Sequence, residues 1–242
     1  MTHSDKAALR GEPSYVWRSG QARRLAMVER WVRLDGVVLD NGCGLGAYLE
    51  QFGRTHPTGT HIGSEIEHER AAQALSRSDG VVVSPGEFLA FSADSFDTIF
   101  SNEVIEHVQD DRAAIREMVR VTKPGGRIFI FCPNRWYPVE QHGIFWRGRY
   151  KFGNIPLVNY LPDPLRNRLA PHVKAYTKRG LLGLFDGLPV RVVHHTRIYG
   201  GYDNIERRLP VIGRLIKQTL YRFEGTPLDA FGLSHMLVVE KC

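Results

Sequence analysis

One stretch limits the fold more than any other: VVLDNGCGLGAYLEQF, at positions 37–52. An apolar run closes on Asp40. Gly42, Gly44 and Gly46 follow at alternate positions, and apolar residues then recur at helical spacing. Glycines let a chain turn sharply and approach a ligand closely, while the first turn of a helix leaves backbone N–H groups free to bind it. A strand that turns through glycines into a helix is the opening of a βαβ unit, and such units build parallel sheets with helices on both faces.

The rest of the first half repeats that alternation. Strand candidates are Val37 to Asp40, His61 to Glu65, Val81 to Ser84, Thr98 to Ser101 and Arg127 to Phe131; helices are read at Gly46 to Phe52, Glu67 to Ser76 and Asp111 to Val121. Several strands are wholly apolar, as strands covered on both faces are. Asp110 is placed to cap the third of these helices, which should stop at Lys123-Pro124-Gly125-Gly126. An earlier helix carries Leu25, Val28, Trp31 and Val32 on one face. Beyond Pro133 the pattern breaks for almost forty aromatic-rich residues, including Trp136, Tyr137, Phe145, Trp146, Tyr150, Phe152 and Tyr160. A segment that long is expected to form a lid or binding insertion. A helix at Lys178 to Phe185 and strands at Val190 to His194 and Leu237 to Glu240 resume the alternation, with a basic amphipathic helix, Ile205 to Phe223, interrupted near Pro210. The expected architecture is a single α/β domain over 1–242. It has a helical N-terminal segment (1–35), a Rossmann-like, mostly parallel seven-stranded core (36–133), and cap insertions after strands 5 and 6 (134–175 and 196–231).

Charge is divided unevenly. Residues 134–223 hold 16 Lys and Arg against 5 Asp and Glu, whereas the remainder is acidic by five charges. A basic field of this kind attracts an anionic substrate, nucleic acid or a membrane surface. No apolar stretch approaches the ~20 residues of a spanning helix, and the polar start MTHSDKAALRGEPS lacks the apolar core of a secretory signal, so a cytoplasmic location is expected. Three scattered cysteines, Cys43, Cys132 and Cys242, argue against a disulfide framework or a zinc knuckle, and no metal is expected.

The glycine spacing alone leaves the ligand open, because Gly42 to Ala47 also fits the GxGxxA fingerprint of dinucleotide-binding folds. Charge separates the alternatives. A pyrophosphate near the Asp40 carboxylate would meet a repulsion of roughly 4 kcal/mol at about 4 Å and an effective dielectric of 20. A ligand with cationic groups would be attracted.

S-adenosylmethionine, with a sulfonium and an ammonium, is such a ligand, and from Val37 to Asn134 the sequence resembles the class I methyltransferases, in particular the type-11 branch that includes quinone-biosynthesis methyltransferases. The resemblance implies that Asp40, Gly42, Gly44 and Gly46 hold the methionine part of the cofactor and that Glu65, in HIGSEIE, accepts from the ribose hydroxyls. It further implies that Ser101, Asn102 and Glu103, in SFDTIFSNEVIEHV, lie beside the transferring methyl. Relatives usually end the third strand in an acid that reads adenine; this chain has Pro85 there. Adenine recognition is therefore expected from the Gly86 and Glu87 backbone, or from the Glu87 side chain after a local shift.

Methyl transfer asks the protein mainly to align two reactants, and a hydroxyl acceptor also needs a proton acceptor. Glu140 and His142, in PNRWYPVEQHG, follow the fifth strand's carboxyl end, where open α/β sheets place ligands. If the backbone is extended there, Glu140 can orient His142 as the base. His107 reads as pocket-lining, and His172, His194, His195 and His235 as core or surface. Arg18, with Tyr15 and Trp17, precedes the first helix and is a candidate for the methionine carboxylate; Arg147, Arg149 and Lys151 are candidates to line a pocket for an apolar or anionic substrate. The expected activity is O-methylation of a small or lipid-like metabolite; the basic helix is expected to pack its apolar face on the domain, with peripheral membrane contact as the alternative. An RNA methyltransferase, a dinucleotide oxidoreductase and a non-catalytic adaptor of the same fold are the alternatives.

Overall fold

Along each central strand, neighbouring residues enter different cores. Leu39, Ile99, Ile128, Ile130 and Leu237 pack with Ile115, Met118, Leu181 and Phe185. Val38, Phe100, Phe129, Phe131 and Val238 pack instead with Leu25, Val28, Leu49 and Phe52. This two-residue period puts one apolar layer on each face of a sheet, so a strand in the middle must be apolar throughout. The computed structural model describes residues 17–242; Tyr15 lies outside them.

The sheet has seven strands: β1 (Val37–Asn41), β2 (Thr60–Glu65), β3 (Gly80–Val83), β4 (Phe96–Asn102), β5 (Thr122–Pro133), β10 (Val190–Ile198) and β11 (Ser234–Lys241), in the order β10-β11-β5-β4-β1-β2-β3. β1 to β5 pair in parallel, and β11 is antiparallel to both β5 and β10. The Rossmann-like, mostly parallel sheet read from the sequence is the one observed. The chain steps outward from β1 to β3 and then returns to lay β4 on the other side of β1. The carboxyl ends of β1 and β4 therefore diverge into a crevice, where this class of sheet holds its ligand.

The helices of the core are α1 (Ser19–Val28), α2 (Ala47–Thr55), α3 (His68–Leu75) and α4 (Asp111–Val121). Asp110 caps α4 through its carboxylate, which accepts from the Ala113 N–H at 2.9 Å. Several boundaries differ from those expected from the sequence, two of them for a clear reason. Lys123-Pro124-Gly125-Gly126 does not separate α4 from β5 but forms the irregular start of β5, where the register against β4 shifts. β10 runs on to Ile198 because β11 offers it a full-length antiparallel partner.

The segment after β5 is less irregular than expected. It contains β6 (Val139–Glu140) paired with β9 (Ile155–Pro156), a hairpin of β7 (Ile144–Trp146) and β8 (Arg149–Lys151), and helix α5 (Asp163–Leu169). After α6 (Lys178–Leu182) and β10 come α7 (Asp203–Arg208) and α8 (Pro210–Tyr221), with the break at Leu209-Pro210. No helix among the described residues is long and apolar enough to cross a membrane.

Candidate active site

A cavity of about 1420 Å³ opens at the crevice. Its floor is the strand ends: Asp40 and Asn41 of β1, Glu65 of β2, Ser84 to Glu87 after β3, and Asn102 and Glu103 at the end of β4. Arg18, Arg23 and Arg24 form one wall, and Tyr137, Val139, Gln141, His142 and residues 199–205 close over the top.

The glycine loop is shaped for close approach. Gly42 has φ 75°, and a Cβ there would lie 2.4 Å from Val104 Cγ2, so only glycine lets this turn lie against the chain leaving β4. Gly42 and Cys43 donate to the Ser64 carbonyl at 2.8 and 2.9 Å. Gly44 donates to Glu65 Oε2 at 3.0 Å, and the Glu67 N–H to Glu65 Oε1 at 2.9 Å. Both Glu65 oxygens are thereby fixed at the cavity wall with acceptor capacity to spare. Gly46 differs from the expectation: it does not line the cavity but lets α2 approach α3, where a Cβ would come within 3.0 Å of Ala74 Cα.

Asp40 is buried, and burial together with the neighbouring Glu65 pushes its carboxyl up to about 8. A cationic ligand would restore the ordinary ionised state; a diphosphate would oppose it. Asn41 Nδ2, Ser84 Oγ and Tyr48 Oη are buried without hydrogen-bond partners, and all three residues line the cavity. Orphaned polar atoms are costly unless something else supplies the bond. Asn41 and Ser84 carried no assignment in the sequence reading, although Asn41 directly follows Asp40.

Past β3, beyond Pro85, the Glu87 side chain is engaged by backbone. Glu87 Oε1 accepts from the backbone of Gln109 at 2.7 Å and Asp110 at 3.4 Å. The Glu87 carboxylate thus holds the turn before α4, which leaves the Gly86 and Glu87 backbone, with Ser84 and Asn41, to meet a ring.

At the β4 end, Ser101 is fully buried and does not line the cavity, contrary to expectation; two residues after Ile99, it falls on the same covered face of the sheet. Asn102 and Glu103 do line it, and Arg24 organises both. Its guanidinium donates to Asn102 Oδ1 and Ser234 Oγ and pairs with Glu103 Oε1 at 2.9 Å. Burial alone would raise the Glu103 carboxyl, but Arg24 and His142 outweigh it and hold it below its ordinary value. Arg24 was missed in the sequence because nothing marks it out among 32 basic residues. Arg18 lines the cavity, as its position before α1 allowed.

Across the cavity, His142 Nδ1 lies 2.9 Å from Glu140 Oε1, and Glu140 Oε2 accepts from Arg166 at 3.0 Å. Arg166 is itself buried and also donates to the Val173 carbonyl at 2.8 Å. Burial would raise Glu140, but His142 and Arg166 draw it down to about 2. The same carboxylate accepts from the His142 N–H at 3.0 Å, so it holds the turn as well as the ring. With Nδ1 engaged as donor, Nε2 is left as the basic atom. His172 Nε2 donates to the His142 carbonyl, 3.0 Å away, and its own carbonyl lies 3.4 Å from His107 Nδ1. His107 lines the cavity and is kept neutral by burial, with its pKa lowered to about 4.

Glu106, His107 and His142 bring one ligand atom each within 4.8 Å of one another, the geometry a cation would need. Glu106 is buried, with Oε1 4.0 Å from His107 Nε2, and burial and Glu103 push its carboxyl well above the ordinary range. The sequence, from which no metal is expected, does not reveal this cluster, because His142 is distant in the chain and joins the other two only through the fold. Arg147, Arg149 and Lys151 are exposed on the β7–β8 hairpin and do not line the cavity, which corrects the expectation that they form an anion-binding wall.

Comparison with known proteins agrees with this geometry. Residues 39–130 match the family described as a methyltransferase domain, of type 11. Over that stretch the chain is similar to the class I methyltransferases. A ubiquinone biosynthesis O-methyltransferase of Xanthomonas euvesicatoria is 36% identical over 118 residues, which are 46% of this chain and 49% of that protein. One of Escherichia coli O157:H7 (strain EC4115 / EHEC) is 31% identical over 133 residues, 52% and 55% of the two chains. This chain therefore spans about half the length of the curated relatives it matches. Over the whole fold, an S-adenosylmethionine dependent methyltransferase from Mesorhizobium loti superposes with a TM-score of 0.61 at 14% identity, covering 92% of this chain and 98% of that one. S-adenosylmethionine is the cofactor that this methyltransferase domain implies. Asp40, the Gly42–Gly44 turn, Glu65 and the orphaned Asn41 and Ser84 groups fit it.

Proposed function

We propose that this methyltransferase domain transfers a methyl group to a hydroxyl oxygen of a small or lipid-like metabolite. The observation that carries the reading is the Glu140–His142 pair: buried Arg166 anchors Glu140, and His142 lines the same cavity as Asp40 and Glu65. Bound S-adenosylmethionine supplies a methyl whose bond to sulfur breaks as its bond to the acceptor oxygen forms, so the acceptor must give up a proton. His142 Nε2 takes that proton, and Glu140 orients the ring and stabilises the imidazolium that results. Arg24 holds Asn102 and Glu103 in place, while Tyr137, Val139 and Gln141 cover the acceptor side and limit water.

The curated relatives named for ubiquinone biosynthesis O-methylation support an oxygen acceptor. Arg135, Arg166 and Arg197 lend no support to the RNA alternative, because their charge is spent inside the fold. Arg135 bonds the Leu161 carbonyl and Asp163, Arg166 bonds Glu140, and Arg197 pairs with Asp229 at 2.7 Å. The test is incubation with tritium-methyl-labelled S-adenosylmethionine and three acceptors: a catechol bearing an apolar chain, phosphoethanolamine and bulk tRNA. Label is expected in a methyl ether of the catechol. Label in the amine or the RNA, with none in the catechol, would overturn oxygen methylation.

A further inference from the structure

The helical hairpin α7–α8 packs tightly through Gly213, where a Cβ would lie 2.4 Å from Glu206 Cα. Its two acids are satisfied on the inner side: Lys217 donates to Asp203 at 3.1 Å and to Glu206 at 2.5 Å. Ile216 and Leu220 turn toward the domain and are partly covered. The outer face is of the opposite kind. Val211 is 78% exposed, Leu215 63%, Leu209 52% and Ile212 49%. Arg207, Arg208, Arg214 and Arg222 are exposed around them, and among the described residues only Arg214 is near an acid, 4.0 Å from Glu206.

An apolar strip rimmed by arginines is the surface of a helix that lies in a lipid headgroup layer, its side chains among the acyl chains and its charges at the phosphates. At twelve residues α8 is far too short to span a bilayer, and it suits this flat placement. Ile205 belongs both to the hairpin and to the cavity lining, so the strip borders the cavity mouth. We propose that the outer face of α7–α8 docks this protein on an anionic bilayer, bringing the mouth of the cavity to the lipid surface. Positive charge unopposed at the face selects that occupant over a neutral membrane or a second copy of the same basic face, whose arginines would repel.

The test is co-sedimentation of the full chain with vesicles of phosphatidylcholine alone and of equimolar phosphatidylcholine and phosphatidylglycerol. Binding is expected to the second only, and to fall as salt rises from about 0.1 M to about 1 M and the screening length shrinks from about 10 to about 3 Å. R207Q/R208Q/R214Q should lower partitioning by about fivefold per arginine removed. V211S/L215S should lower it by about tenfold or more. Both variants alter exposed side chains, and unchanged thermal melting confirms that they fold. Failure to sediment with phosphatidylglycerol vesicles overturns the proposal, as does wild-type binding by V211S/L215S. So does a solution dimer that this variant abolishes, which would assign the face to a second copy. The readout is lipid binding, so its outcome is independent of whether the domain methylates oxygen.

Discussion

His142→Gln is expected to lower kcat by about 10² to 10⁴-fold, the usual contribution of a positioned proton acceptor, while leaving the dissociation constant for S-adenosylmethionine unchanged. The separation follows from geometry: His142 reaches the cavity from the segment after β5, whereas Asp40, Gly44 and Glu65 lie at the ends of β1 and β2. Glu140→Gln should fall between wild type and His142→Gln, because it keeps an acceptor for Nδ1 but loses the charge that stabilises an imidazolium. Glu140→Ala is the wrong variant to use. It would strand the Arg166 guanidinium, 2% exposed, without its carboxylate, a loss that costs about 3–5 kcal/mol. Added imidazole should restore part of the turnover in a His142→Ala variant. Equal kcat for wild type and His142→Gln would remove His142 from proton transfer.

Asp40→Asn is expected to strengthen the unliganded fold and weaken it as a binder. The Asp40 carboxyl stands near 8 in the folded chain against an ordinary value of 3.8. Between those values the folded chain keeps a proton that the unfolded chain releases, so the stability Asp40 contributes is complete below the lower value and is lost as pH rises through the upper one. The decline is at most ~1.4 kcal/mol per pH unit. Asparagine removes that slope. Urea unfolding of the unliganded variant at pH 8 should show a gain on the order of 5 kcal/mol that disappears near pH 4. Its affinity for S-adenosylmethionine at pH 8 should fall by about 10- to 100-fold, the worth of a charged hydrogen-bonding group. A variant that binds as tightly as wild type would show that Asp40 does not meet the cation.

The fold was legible because its signals are periodic and local. Apolar runs such as Ile128 to Cys132 belong to strands buried on both faces, and Asp110 caps α4 through a bond that spans three residues. The β1 loop was legible for the same reason, since its glycines, Asp40 and the turn are contiguous. What escaped depends on contacts between distant segments. Arg24 reaches Asn102, Glu103 and Ser234 across three elements, and Arg166 reaches Glu140 from α5. Gly46 and Ser101 sit within motifs that hold ligands, yet one serves helix packing and the other the sheet interior; spacing alone cannot separate those uses. The amphipathic pattern of α8 showed that one face is apolar. It did not show that Val211 and Leu215 belong to the face left outside.

The central claim is that the crevice between β1 and β4 takes a cationic sulfur compound, and calorimetric titration of the wild-type chain at pH 7 in two buffers of different ionisation enthalpy tests it directly. The expected result is binding of S-adenosylmethionine with release of close to one proton, as Asp40 ionises against the ligand, and no binding of NADPH. Binding of NADPH without S-adenosylmethionine, or uptake of S-adenosylmethionine with no proton released, would contradict it.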